Sequence, residues 1–476
     1  MDTTAFIHTF STSQGKYIYD VNTDKVLKVP EEVYSYFNNG EKNMDVSSDT
    51  IKYIENLKNN GFLKSNRVYE TEHPATELLS SYIENNLKYL ILQVTQNCNL
   101  RCDYCVYSGG YHNRTHCNKR MDLDTAKKGI DYLIKHSKNS KDLTLGFYGG
   151  EPLLEFELIK ECVKYVEEQA QGKRVTYNMT TNGTLLNDKI LDFLVKKNFI
   201  VSISLDGPEK VHNRNRKFVS NNKGSFSVII KNLESIEKKY PDFLKKNVNI
   251  NSVLTTEDGF ECINNFFSKH DCLNKINITC ETVNTILSKN EIKISEKYIE
   301  ENLYEQFKLY LSKLGRYNPN KVSILLKKDL DKFDNLKIIE SNTRHELPKK
   351  WHHGGPCIPG FNRLFLNVDG ELFPCEKVCE TAEFAKIGHI DNGIDLDKAS
   401  AILNIENVNK EKCYNCWIYS HCFLCAHNLK DLDVNSCNEL DEECSNMRFN
   451  IEEGLKDYCT LKECGYDLDI DMYGNF

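Results

Sequence analysis

The sequence predicts an α/β protein: a partial (β/α)6 barrel, preceded by a small winged-helix-like unit and followed by a loop-rich, cysteine-dense segment. Three observations lead there. From about residue 88, short apolar strand-like runs alternate with amphipathic helix-like runs, which implies a parallel sheet with right-handed crossovers. Before residue 75 the order is strands first and then short helices. After residue 351 the elements are short, and eleven of the 19 cysteines crowd between Cys357 and Cys464.

Taken in order, AFIHTFS and KYIYDV alternate like strands, with Asn22-Thr23-Asp24 as a turn before KVLKV. PEEVYSYF opens with a proline suited to a first helical turn. SSDTIKYIENLKNNGFL reads as a second helix, capped by Ser47, Ser48 or Asp49 and ending near Gly61. These elements make residues 1–75 one unit, with SNRVYETEHPATE as its linker. Residues 85–285 form the barrel, with strands at KYLILQVT, LTLGFY, RVTYNMT, FIVSISL, VNINSVL and INITC. Helix-like segments such as DLDTAKKGIDYLIKH and EFELIKECVKYVEEQ lie between most of them. Six units fall short of the closed eight-stranded barrel, and ligands are expected at the strand C-termini. Residues 286–350 read as a lysine-rich helical connector without evident chemistry. Residues 351–476 form a C-terminal domain of the kind that relies on metal for its fold.

Composition narrows the function. Over 476 residues, 40% apolar and 27% charged residues describe a globular chain. A net charge of −8 argues against a nucleic-acid binder. Basic pairs such as Lys245–Lys246 and Lys327–Lys328 are most simply solvated helix faces. No apolar run approaches the roughly 18–20 residues that span a bilayer. MDTTAFIHTF also lacks the basic-then-apolar order of a signal peptide. The expectation is a cytoplasmic protein with no membrane partner. There, dense cysteine use points to metal or redox chemistry, because reducing conditions disfavour disulfides.

TQNCNLRCDYCVY sets Cys98, Cys102 and Cys105 in a C-x3-C-x2-C spacing just after the first barrel strand. Thiolates are the ligands of iron–sulfur clusters, and three of them leave one iron of a cubane open for chemistry. The bland alternative is a zinc site short of one ligand. With Tyr104 before the third cysteine, the triplet resembles the radical S-adenosylmethionine (radical SAM) superfamily over roughly residues 88–280. Gly149-Gly150-Glu151-Pro152 resembles the family's GGEP element, whose backbone meets the cofactor's amino group. Thr180-Thr181-Asn182-Gly183 ends the third strand in the family's manner, and the resemblance puts Glu151 and Asn182 among the expected cofactor contacts. Ser204, in SLDGP, resembles the ribose contact. Arg216, in HNRNR, matches the arginine for the cofactor carboxylate, with Arg214 competing. Taken singly, these are ordinary turns and a surface cation. The resemblance implies a [4Fe–4S] cluster, bound S-adenosylmethionine and a 5′-deoxyadenosyl radical.

The C-terminal array runs Cys357, Cys375, Cys413, Cys416, Cys422, Cys425, Cys437 and Cys444. C-x2-C pairs also occur in zinc ribbons. The array resembles the SPASM extension of peptide-modifying radical enzymes, which carries two auxiliary [4Fe–4S] clusters. It departs in having two residues, not three, between Cys422 and Cys425. The resemblance assigns Cys357, Cys375 and Cys425 to the nearer cluster. It assigns Cys413, Cys416, Cys422 and Cys444 to the outer one, with Cys437 as the alternative to Cys444. His352 or His353 could complete the nearer set; an open position for a substrate thiolate is the preferred expectation. Glu376 follows Cys375, where relatives that oxidise sulfatase residues carry an aspartate base. The other cysteines match no ligand position and are expected to be small apolar residues or bystanders.

Residues 1–75 resemble the PqqD-like domain with which peptide maturases grip a precursor leader, by adding it to a sheet edge. A structural cap is the plain alternative. Together the parts resemble the clostridial Cys-rich-peptide and ranthipeptide maturases, through CDYCVYSGGYHNRTH and CYNCWIYSHCFLC. The implied function is thioether formation in a ribosomally made precursor, with a flavodoxin or ferredoxin as electron donor. Formylglycine formation, carbon–carbon cross-linking and peptide epimerisation use the same scaffold. A non-enzymatic iron–sulfur or zinc adaptor would have to dismiss the cofactor elements.

Overall fold

The computed structural model describes residues 4–40, 46–326, 344–355, 357–429 and 437–466, the side chains of 437–440 excepted. Its first unit is an antiparallel meander of β1 (Ile7–Ser11), β2 (Lys16–Asp20) and β3 (Lys25–Val29), in the order β1-β2-β3. Asp24 makes the tight connection at φ +59°, a left-handed conformation that aspartate tolerates. Helices Glu31–Asn38 and Ser48–Asn59 follow, and Ser47 supplies the cap by accepting from the Thr50 N–H. The middle strand is apolar on both faces. Ile18 packs with Val29, Val33, Ile54 and Leu63, while Tyr17 and Tyr19 pack with Tyr419, Leu455 and Tyr458 far along the chain. A strand buried on both sides loses the polar–apolar alternation of a solvated one.

The stretch expected as a linker contains a short strand, β4 (Glu70–Thr71). The barrel strands are β5 (Tyr89–Thr95), β7 (Asp142–Gly149), β8 (Arg174–Thr181), β9 (Ile200–Ser204), β11 (Val248–Leu254) and β12 (Asn277–Thr282). They lie side by side in chain order and are all parallel. β6 (Leu100–Cys102) and β10 (Arg216–Phe218) form a separate antiparallel pair. Helices Leu123–Lys135, Phe156–Gln169, Asp188–Lys196, Phe226–Lys239 and Phe260–Lys269 cover the outer face. Asp122 and Asn187 cap two of them through the backbone N–H groups of Thr125 and Ile190. The partial barrel is therefore as expected.

Beyond β12 the structure departs in detail from the expectation. The connector holds one long helix, Glu296–Lys313, and short 3-10 turns rather than continuous helix among its described residues. β13 (Lys350–Trp351) pairs in parallel with β4, so the linker is stapled to the start of the C-terminal domain. Next, β14 (Arg363–Leu366) pairs in parallel with β5. β15 (Glu371–Phe373), β16 (Gly388–His389) and β17 (Gly393–Ile394) then extend the sheet antiparallel to a total of ten strands. The C-terminal domain thus grows out of the open edge of the barrel. A final helix, Cys437–Glu463, returns to the N-terminal unit, where His8 Nε2 lies 2.9 Å from Glu452.

The N-terminal unit also clamps the loop between Cys416 and Cys422. His8 stacks on Trp417 at 3.8 Å, and Asp24 Oδ1 lies 2.7 Å from His421 Nε2 while accepting from the Tyr19 hydroxyl at 2.6 Å. Burial opposes ionisation of Asp24, but His421, Tyr19 and Arg344 outweigh it and hold the carboxyl at about 2. An unfolded aspartate titrates near 3.9, so the folded value is depressed. This contribution is complete above about pH 4 and disappears as pH falls through about 2. Trp417 fluorescence should therefore report loosening of this contact between about pH 4 and pH 2, with the transition flattened in Asp24→Asn.

Candidate active site and metal centres

β5 delivers the chain to the cysteine loop, and two elements pin that loop. Gly150 N donates to Thr95 O at 3.0 Å, and Glu151 N donates to Asn97 O at 2.9 Å. A Cβ on Gly149 or Gly150 would sit 2.1 Å from Thr95 O or Asn97 O, and Gly149 has φ +142°. The glycine pair is thus required by the backbone that carries Cys98, a close approach only glycine permits. From the other side, β6 pairs with β10 in a register that sets Arg216 opposite Cys102.

Cys98, Cys102 and Cys105 open onto one cavity of about 310 Å3 with Gly149, Gly150, Asn182, Ser204 and Arg216. Motifs far apart in the chain meet there, as their places at successive strand ends predict. Burial, reinforced by Glu151, pushes the Cys98 thiol up to about 12. Burial also raises Cys102 to about 12 against the opposing charge of Arg216. Such thiols keep their protons until a metal replaces them. No three His, Cys, Asp or Glu groups among the described residues converge closely enough for a single metal ion. A cubane asks for something else, because each sulfur attaches to its own iron. The three-sulfur donor set fits such a cluster.

Arg216 is held by a residue outside the sequence candidates. Its Nε and Nη2 donate to Asp206 Oδ2 and Oδ1 at 2.9 and 3.1 Å, and the Tyr104 hydroxyl donates to the same Oδ2. Asp206 is fully buried; burial would raise its pKa, but the guanidinium keeps it below the usual carboxylate range. Asp206 Oδ1 also accepts from Val253 N at 3.1 Å, tying β9 to β11. In sequence, Asp206 had the appearance of a turn residue in SLDGP. Arg214 instead pairs with Asp258 and Thr255 and does not line the cavity.

Glu151 is turned away from the cavity. Its carboxylate accepts from the Thr181 hydroxyl (2.7 Å), Asn182 N (2.7 Å) and Leu153 N (3.0 Å). Further residues on the cavity escaped sequence reasoning: Tyr107, Tyr148, Asn251, Glu281, Thr282 and Asn284. A usable signal existed for the last three, which lie at or just past the end of the sixth strand, where barrel ligands gather; Asn251 sits mid-strand in β11.

In the C-terminal domain, Cys413, Cys416, Cys422 and Cys444 line a second cavity, with Cys444 supplied by the final helix. Four thiols on one cavity fit a fully ligated cluster; the side chain of Cys437 lies outside the described residues. Cys375 is pushed up to about 11 by burial first and then by Glu376 and Cys425, while Cys357 contributes to raising Cys425. Cys425 is thus near enough to influence Cys375, and Cys357 near enough to influence Cys425. Glu376 pairs with Arg363 at 3.2 Å. Arg363 stands opposite Tyr89 at the start of β5, roughly 20 Å of strand from the cysteine loop. Tyr148 lines the first cavity, and its pKa is raised by burial first and then by the charge of Glu376. Cys379 and Cys117 donate to His112 O and Gln96 Oε1, and Cys162, Cys272 and Cys459 are buried among apolar side chains.

Residues 92–267 match the model of the Radical SAM superfamily. A cysteine-type anaerobic sulfatase-maturating enzyme of Clostridium novyi (strain NT) is 29% identical over 357 residues, 71% of this chain and 87% of that protein. The radical SAM cyclopropyl synthase TigE of Paramaledivibacter caminithermalis is 23% identical, covering 90% of this chain and 93% of its own. A solved structure, native anSMEcpe with bound AdoMet, shares the fold with TM-score 0.52 and 19% identity, across 77% of this chain and 99% of that one.

Gly150→Ala tests the backbone constraint. The methyl has no room beside Asn97 O, so the variant should lose about 1–3 kcal/mol of stability, or more. It should also reconstitute with less iron at Cys98, Cys102 and Cys105, read by iron analysis and thermal denaturation. Gly110→Ala, whose methyl would meet only side-chain atoms at 3.4 Å or beyond and which needs no positive φ, is the comparison for steric effects.

Proposed function

Because residues 92–267 form a radical SAM domain, we propose that this chain matures a ribosomally made, cysteine-rich precursor peptide by forming thioethers. When bound, S-adenosylmethionine and the barrel cluster supply a hydrogen-abstracting 5′-deoxyadenosyl radical, and the two auxiliary clusters supply an outlet for one electron. Each linkage removes one C–H and one S–H bond and forms one C–S bond. A hydrogen atom leaves carbon, a proton leaves sulfur, and one electron leaves the product.

The chain's residues divide that work. Cys98, Cys102 and Cys105 would hold the barrel cluster, and Gly149, Gly150, Ser204 and Arg216 present the cofactor surface. Arg216 keeps one guanidinium nitrogen, Nη1, outside its pair with Asp206, a charge-assisted donor for the cofactor carboxylate. Cys413, Cys416, Cys422 and Cys444 would hold the outer auxiliary cluster, and Cys357, Cys375 and Cys425 the nearer one. Glu376, beside Cys375, is the proposed base.

The observation that carries the thioether reading is the commitment of His353. Its Nε2 lies 2.9 Å from Leu424 O, and its Nδ1 lies 2.8 Å from Glu406 Oε2, a close contact outside hydrogen-bond geometry. His352 is likewise engaged with His353 O at 2.7 Å. With both ring nitrogens engaged, His353 is not free to complete the nearer thiol set, which supports an iron position open to a substrate thiolate; His352, engaged through Nδ1, keeps Nε2 as the alternative ligand. A structure with this fold holds AdoMet and a Cp18Cys peptide, which supports a peptide substrate. The N-terminal unit offers β3 at the edge of its sheet for a leader strand. In this reading the unit is PqqD-like, the C-terminal domain is SPASM-like, and a cytoplasmic flavodoxin or ferredoxin supplies electrons. Among the described residues no helix is long and apolar enough to cross a membrane. The likeness to the Clostridium novyi enzyme supports formylglycine formation as the second reading.

Reconstituted protein should contain about twelve irons per chain, from three cubanes, and Cys102→Ala should abolish 5′-deoxyadenosine production. A single cubane with zinc would remove the auxiliary clusters. Co-expression with a cysteine-rich precursor, followed by fragmentation and thiol alkylation, identifies the bond. Loss of two hydrogens with a blocked thiol marks a thioether, and loss with a free thiol marks a carbon–carbon link. Loss of the sulfur marks formylglycine.

A further inference from the structure

We infer that Asn182 donates a hydrogen bond to the sulfur of Cys98, is held in place by Glu151, and thereby raises the reduction potential of the barrel cluster. The inference rests on the radical SAM reading of Cys98, Cys102 and Cys105, and assigns to two residues of the cofactor motifs a role directed at the cluster.

The direction of the Asn182 amide follows from its neighbours. Thr184 N, which can only donate, lies 3.0 Å from one amide atom, and the Thr184 hydroxyl lies 2.7 Å from the same atom. That atom must be Oδ1. The other is Nδ2, which lies 2.8 Å from Asn99 Oδ1 and 3.7 Å from Cys98 Sγ. With two donors and two acceptor sites, the amide is saturated by Thr184, Asn99 and Cys98. It has nothing left for the polar groups of S-adenosylmethionine, the role its motif suggested.

The backbone beneath it is equally constrained. Glu151 Oε2 accepts from Asn182 N at 2.7 Å, while Oε1 accepts from the Thr181 hydroxyl at 2.7 Å. Thr181 Oγ1 in turn accepts from Gly183 N at 3.1 Å, and Gly183 turns the chain at φ +74°. Glu151 acts on Cys98 through this chain of bonds and is a positioning residue. The Leu100 N–H, 3.4 Å from the same sulfur, adds a second donor. Donors aimed at a ligand sulfur favour the more negative, reduced cluster and so raise its potential.

The test is an EPR-monitored redox titration of reconstituted holoenzyme, following the reduced-cluster signal that S-adenosylmethionine perturbs. Asn182→Ala should lower the midpoint, so that the ratio of reduced to oxidised cluster at a fixed potential falls about tenfold, equivalent to about 59 mV for one electron. Asn182→Asp is nearly isosteric, keeps the acceptor for Thr184 and loses the donor, and it should shift in the same direction. Thr184→Val, which removes a partner of the amide oxygen and the acceptor of Asn99 Nδ2 at 2.9 Å but leaves the donor to Cys98, should keep the wild-type midpoint. An unmoved midpoint in either Asn182 variant at full iron content would overturn the inference, as would an equal shift in Thr184→Val. A wild-type signal that ignores S-adenosylmethionine would overturn the radical SAM reading first, and is told apart by that lack of response.

Discussion

Antiparallel pairing of Leu100–Cys102 with Arg216–Phe218 is the constraint on which the rest of the site depends. It joins the loop after the first barrel strand to the segment after the fourth, and it sets the cysteine triplet against a buried cation. Arg216 can be buried there because Asp206 meets it with both carboxylate oxygens and Tyr104 adds a hydroxyl. Removing one member of such a pair typically costs about 3–5 kcal/mol, because the other charge is left without a partner in a low dielectric. The same residues thus secure the loop and shape the cavity.

A second organising feature is the continuation of the barrel sheet into the C-terminal domain. Because β14 adds to the free edge of β5, the segment carrying Cys375 is built onto the barrel rather than tethered beside it. Tyr148 lines the first cavity and feels the charge of Glu376, the neighbour of Cys375. The N-terminal unit closes the circuit by gripping the loop between Cys416 and Cys422 through His8, Tyr19 and Asp24. A leader-binding role and a bracing role are compatible in this arrangement, because β3 lies at the edge of a sheet whose opposite face packs on that loop and the final helix.

Much of this was legible in the sequence where chemistry repeats locally. Strand and helix periodicity placed the six barrel strands, since a buried parallel strand must be a short apolar run. Cysteine spacing brought out the triplet and the run Cys413, Cys416 and Cys422 for the same reason, because ligands on one loop must be close in sequence. Glu151 and Asn182 were found by their motifs, yet their surroundings differ from what the motifs suggested. Whether a side chain faces a cofactor or its own backbone depends on hydrogen bonds from other strands, and no single segment encodes that.

What the sequence alone determined was the order of elements, the thiol groups and the strand ends at which ligands gather, all consequences of local period and ligand chemistry. What only the tertiary structure decided was selection among equivalents. It placed Arg216 rather than Arg214 on the cavity, because β10 pairs with β6. It committed His353 to Glu406 and Leu424 rather than to the thiols, and it seated Cys444 with Cys413, Cys416 and Cys422 by returning the last helix. Each choice turns on contacts between residues far apart in the chain, which exist only after the sheet has closed around them.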